Sequence, residues 1–128
     1  MTPAEYLASI RERLIADPLV TSFAIRRERS TPSDGHMRAA LTFGDGSGLE
    51  FSEYFQATKT GQVVTVTYSY HWSDAEGRLI FRWDNTPHFP GLPGFPHHVH
   101  DGGAGEVLPA PPRSIFEVLE EIGRTQAR

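Results

Sequence analysis

The 128-residue sequence predicts an α+β domain: a five-stranded antiparallel meander sheet with N- and C-terminal helices packed on one face. Three observations carry this expectation. Apolar residues recur at helical spacing near both ends of the chain. Through the middle they alternate with polar residues, and short connections rich in Gly, Asp and Ser join the alternating runs. The length suits one domain, and 38% hydrophobic residues, including eight Phe, four Tyr and two Trp, suffice for one core.

The first helix is expected over residues 3–16. Thr2 can cap it, Pro3 suits its first turn, and Glu5 completes a capping box. Leu7, Ile10 and Leu14 form its apolar stripe, and Asp17-Pro18 ends it. From Val20 the period changes to two, and the sheet is expected over residues 20–84. Phe23 and Ile25 share a face of the first strand, and Met37, Ala39, Leu41 and Phe43 a face of the second. The third sets Leu49, Phe51 and Phe55 against Glu50, Ser52, Tyr54 and Gln56. The fourth sets Val64, Val66, Tyr68, Tyr70 and Trp72 against Thr65, Thr67, Ser69 and His71. The fifth sets Leu79, Phe81 and Trp83 against Arg78, Ile80, Arg82 and Asp84. Both helices should cover the face bearing Leu41, Phe51, Val66 and Leu79, with Trp72 and Trp83 buried. A last helix over residues 114–126 opens with Ser114 and Glu117 as a second capping box and carries Ile115, Val118, Leu119 and Ile122.

Composition excludes several chemistries. The chain has no cysteine, so disulfides, thiolate metal sites and a cysteine nucleophile are absent. Phosphate-cradling glycine loops, the serine nucleophile elbow and paired zinc histidines on a helix are missing too, and no cofactor is expected. The charged N-terminus has neither signal-peptide nor membrane-span character, so the expected location is the cytoplasm. A net charge of −4 argues against a generally basic surface; Arg26, Arg27 and Arg29 are the one local basic run, and such runs usually face solvent.

The fold does not explain residues 85–113, which show neither period and are expected to form a loop. Loops of that length usually carry function. Asn85 to Asp101 holds four of the six histidines, and Pro87, Pro90, Pro93 and Pro96 repeat at the polyproline period of three. That period puts Phe89, Leu92 and Phe95 on one edge and His88, His97 and His100 on another. In a straight polyproline helix His88 and His97 would lie about 28 Å apart, so a shared site requires a turn at Pro90-Gly91 or Pro93-Gly94.

Three chemistries fit the cluster. Histidines can serve as general acid and base on a phosphodiester, with Arg82 steadying the phosphate. His97 and His100, with Asp84, Asp101 or His88, can hold a divalent metal. Alternatively the histidines are scaffold, bonding backbone carbonyls of the loop. The candidate catalytic residues are therefore Arg82, Asp84, His88, His97, His98 and His100, with Tyr54, His71 and Asn85 as candidate binding residues. Glu50, Tyr54 and His71 share polar strand faces that could line the same cleft.

Tyr68-Ser69-Tyr70-His71-Trp72, the run Arg78 to Asn85, Pro87-His88, and Phe95-Pro96-His97-His98-Val99-His100 together resemble the TumE toxin family. The resemblance spans Leu41 to His100 and, more loosely, the closing helix. It implies a toxin neutralised by a cognate antitoxin protein. By analogy with other small toxins it also implies action on RNA or translation; joined to the acid–base chemistry of the histidines, this makes a metal-independent endoribonuclease the leading expectation. A non-enzymatic binding module and a metal-dependent hydrolase remain the alternatives.

Overall fold

The computed structural model describes residues 1–126, and in it every strand pairs antiparallel with its neighbours in chain order. Helix α1 (Pro3–Ala16) is followed by β1 (Val20–Ser30), β2 (Asp34–Phe43), β3 (Gly48–Ala57), β4 (Val63–Ser73) and β5 (Leu79–Asp84). Two further strands, β6 (His98–Asp101) and β7 (Glu106–Pro109), precede α2 (Ile115–Gln126). The meander therefore has seven strands and not five, because the segment expected to be a loop ends in a hairpin on the open edge of β5. Each added strand has only four residues, too few for a period to register in sequence.

Local chemistry builds that hairpin. The Asp101 side chain accepts from the Gly103 and Ala104 amides, and Gly105 takes the left-handed φ of +68° that closes the turn. The Gly102 amide bonds the Ile80 carbonyl at 2.9 Å. A Cβ at Gly102 would stand 1.9 Å from the Leu79 carbonyl oxygen, so only glycine lets β6 dock this closely on β5.

Both helices lie on one face, as expected. Leu7, Ile10 and Leu14 from α1 and Ile115, Val118, Leu119 and Ile122 from α2 join one core with residues of β2 to β5. Both capping boxes form: Thr2 with Glu5, and Ser114 with Glu117. Trp72 and Trp83 are buried, the Trp72 indole donating to Ser47 Oγ.

Val66 breaks the expected pattern. Tyr54 pairs with Thr67 and Phe55 with Thr65, leaving Val66 as the extra residue of a bulge. The bulge inverts the strand's parity below Tyr68, so Val64 and Val66 face solvent while Val63 and Thr65 turn inward. Leu79 is only half-buried, because a second irregularity at Ile80 shifts the start of β5.

One polar side chain stands inside the core. Glu53 occupies the apolar face of β3, between Phe51 and Phe55, and is fully buried. Its carboxylate accepts from Tyr6 of α1, from Tyr70 of β4 and from the Ile115 amide at the start of α2, each at 2.7 Å. Burial pushes the Glu53 carboxyl up despite these donors, and burial beside Glu53 pushes both tyrosines up as well.

Trp83→Ala should cost about 3–5 kcal/mol by transfer and cavity effects, and Val66→Ala less than about 0.5 kcal/mol. Urea unfolding of the two variants checks the bulge-inverted facing. Glu53→Ala, which strands three donors, should cost about 3–5 kcal/mol. Because folding raises the Glu53 pKa, its contribution is fully present below the ordinary carboxylate range and is lost as pH rises through the folded value. The stability of wild type minus that of Glu53→Gln should therefore fall as pH increases, measured by denaturation between acid and neutral pH.

Candidate functional site

The site lies on the sheet face opposite the helices. Strand register sets its side chains in two cross-strand rows. One row runs Arg38, Ser52, Ser69, Asp84, His98; the next runs Ala40, Glu50, His71, Arg82, His100. Arg27 pairs with Arg38 from the outer strand, and a register shift in β1 at Arg26 brings Arg26 to the same depression.

Two shallow cavities lie along these rows. One of about 340 Å³ is lined by Arg26, Arg27, Arg38, Ala39, Ala40 and Glu50. The other, of about 240 Å³, lies among Arg38, Glu50, Ser52, Ser69, His71 and Arg82. Arg26, Arg27 and Arg38 make no ion pair among the described residues, so their charge is available to a ligand. Burial, reinforced by Arg27, Arg29 and Arg38, holds His36 below the ordinary imidazole range.

Arg82 ties the rows together. Its Nε donates to Asp84 Oδ2 at 3.1 Å, and its terminal nitrogen donates to His71 Nδ1 at 3.3 Å. That bond leaves the proton of neutral His71 on Nε2. Burial first, and then the Arg82 guanidinium, holds His71 below its ordinary value, with Glu50 opposing.

Asp84 is buried, and its Oδ1 accepts from the Thr86 amide at 3.0 Å. His98 lies opposite it in register and is 2% exposed. The His98 Nδ1 donates to the Pro96 carbonyl at 2.8 Å, and Nε2 stands 2.9 Å from Asp84 Oδ1. His100 Nε2 is 3.5 Å from Asp84 Oδ2. Phe89 packs edge-on over both rings, at centroid distances of 5.1 and 5.8 Å. The loop reaches there through successive turns, Leu92 to Phe89, Phe95 to Leu92 and His97 to Gly94. Both Pro-Gly steps thus bend, in place of the straight polyproline helix.

The structure brings Arg82, Asp84, His98 and His100 together, with His71 joined to them through Arg82, and parts His88, His97, Tyr54 and Asn85 from them. Along β6 the period is two and not three, and His97, the residue just before it, turns to the face opposite His98 and His100. There it stacks on Tyr68 and bonds the Tyr68 hydroxyl at 2.8 Å, a phenol that burial pushes up to about 12. His88 is exposed beside Phe89. Asn85 bonds the β4 backbone at Tyr68 and Val66, bracing the bulge. The Tyr54 hydroxyl is engaged by Asp34 and Gln56. Sequence reasoning missed Arg38, whose outward parity in β2 was the available signal, and it missed Ser52 and Ser69 as wall residues.

The family model described as Toxin TumE matches residues 10–126, from α1 through α2. The chain belongs to the TumE toxin family. Membership supports a toxin role, and a toxin role implies an antitoxin partner. No curated protein and no solved structure matches the chain. Among the described residues no helix is long and apolar enough to cross a membrane. The span matched to the TumE family contains every residue of the two polar rows, as well as the Pro- and His-rich segment.

In an NMR titration His71 should protonate below its ordinary pKa of about 6.5. Arg82→Gln should raise that midpoint without restoring the ordinary value, because burial remains.

Proposed function

We propose that this toxin acts on RNA, and that the arginine-lined polar face of the sheet holds the phosphate backbone. The supporting observation is the gathering of Arg26, Arg27, Arg38 and Arg82 around two adjoining depressions on a chain of net charge −4. Guanidinium groups make paired bonds to phosphate oxygens, and a concentrated cationic face draws a polyanion to an otherwise acidic protein.

The chemistry favoured by these groups is metal-independent transesterification. Arg82 turns from His71 to the phosphate, which frees the His71 Nδ1 lone pair. His71 takes the proton of the 2′-hydroxyl, and the 2′-oxygen attacks phosphorus. Arg38 and Arg82 stabilise the charge gathered on the phosphate oxygens. The bond to the 5′-oxygen breaks, that oxygen takes a proton from water, and the products are a 2′,3′-cyclic phosphate and a 5′-hydroxyl. Asp84 orients Arg82.

The test uses a labelled RNA and the products it yields. Wild type should cleave to cyclic-phosphate ends, and His71→Ala should slow cleavage by about 10²–10⁴-fold with folding unchanged by circular dichroism. Arg38→Ala and Arg27→Ala should weaken RNA binding and reduce its salt slope by roughly 0.7 for each phosphate that is no longer neutralised. Binding that is independent of salt and of these arginines would sink the reading. Salt-dependent binding without cleavage would leave RNA as the target and overturn the ribonuclease step.

A further inference from the structure

We infer that Asp84, His98 and His100 form a binding site for a divalent transition-metal ion of the zinc type, independent of how the RNA reading fares. Their three ligand atoms lie within 4.8 Å of one another. An ion held at about 2.0–2.1 Å in tetrahedral geometry spaces its ligands roughly 3.3 Å apart. Asp84 Oδ1 stands 2.9 Å from His98 Nε2 and Asp84 Oδ2 stands 3.5 Å from His100 Nε2, so each imidazole nitrogen lies near that spacing from one oxygen of the carboxylate.

His98 carries the inference. Its Nδ1 spends the ring's ordinary proton on the Pro96 carbonyl, so Nε2 presents a lone pair. That lone pair is buried, faces a carboxylate oxygen, and has no hydrogen-bond partner. Although Asp84 Oδ1 is only 2.9 Å away, it does not lie where a ring N–H would point. Two acceptors pressed together in a buried place require a proton or a metal cation between them, and the off-axis placement suits a shared ion better than a direct N–H···O bond.

The surroundings match those of metal ligands elsewhere. A ligating histidine commonly donates its other nitrogen to a backbone carbonyl, as His98 does to Pro96. A ligating carboxylate is held by further hydrogen bonds, as Asp84 is by the Thr86 amide and Arg82. Two imidazoles and one carboxylate suit zinc and its neighbours, whereas calcium and magnesium prefer oxygen alone. Phe89 shields one side, and the half-exposed His100 leaves the other open toward the polar groove. Three protein ligands leave a fourth position for water or for a substrate oxygen.

The test uses the full chain, purified without a polyhistidine tag and stripped by chelator. Zn²⁺ should bind at one equivalent per chain by mass spectrometry of the folded protein, and Co²⁺ should give the visible bands of a low-coordinate ion. His100→Phe replaces a half-exposed ligand beside Phe89 and should fold; it should lose at least about 10–100-fold in zinc affinity. His88→Ala and His97→Ala, which alter neighbouring histidines outside the site, should keep full uptake. Asp84→Asn should lose uptake as well, though its buried position makes His100→Phe the decisive variant. A folded wild type that takes up no zinc overturns the site, as does uptake unchanged in His100→Phe. Because no RNA is present, failure here leaves the ribonuclease reading standing, and failure of that reading leaves this one standing.

Discussion

The fold hangs on a carboxylate placed where a strand should carry an apolar side chain. Glu53 sits inside the core and accepts hydrogen bonds from α1, β4 and the first amide of α2. The last of these is an orphan donor at a helix N-terminus, a position where negative charge is favourable. Apart from Glu53 the helices meet the sheet mainly through apolar contacts, which have no direction, with Arg11–Glu28 and Gln126–Ser47 as polar contacts at the margins. With it, the first turn of each helix is tied to one point of the sheet, and the angle at which each crosses the sheet follows. The desolvation of Glu53 is offset only while all three donors are in place, so the helices and the sheet depend on one another.

The opposite face of the sheet follows from that arrangement. With the helices committed to one side, the alternating polar residues of β2 to β5 face a common surface, and the antiparallel register aligns them in rows. An arginine pair from β1 and β2 stands at one end, and the Asp84, His98 and His100 group at the other. Arg82 and His71 lie between them. A phosphate chain laid across the strands would meet guanidinium groups first and then imidazoles. Such an order suits the RNA-directed activity proposed above.

Strand β6 turns a set of histidines into a site. In the loop it would be one of many conformations; paired with β5 it has a single register, Asp84 opposite His98 and Arg82 opposite His100. The alternation then sends His97 to the helix side, where Tyr68 takes it up as part of the packing. Neighbouring histidines of the same short segment thus have different surroundings: one is sealed against Asp84, one supports the tyrosine stack, and one borders the groove.

Most of the fold was legible in the sequence because it depends on local periods. The capping boxes at Thr2 and Ser114, the apolar stripes of both helices and the alternation through β5 each lie within a dozen residues. Trp83, Arg82 and Asp84 were legible for the same reason, since a period of two fixes which face each occupies. The turn residues Asp101 to Gly105 were also visible, but strands of four residues on either side carry too little pattern to be told from loop. Glu53 was visible only as an exception to alternation. Three things were decided by the tertiary structure alone: the bulge at Val66, the partners of Glu53, and the parting of His97 from His98 and His100. A bulge, a buried hydrogen bond and an edge pairing are settled by residues far away in the chain, and their energies arise only when those residues meet.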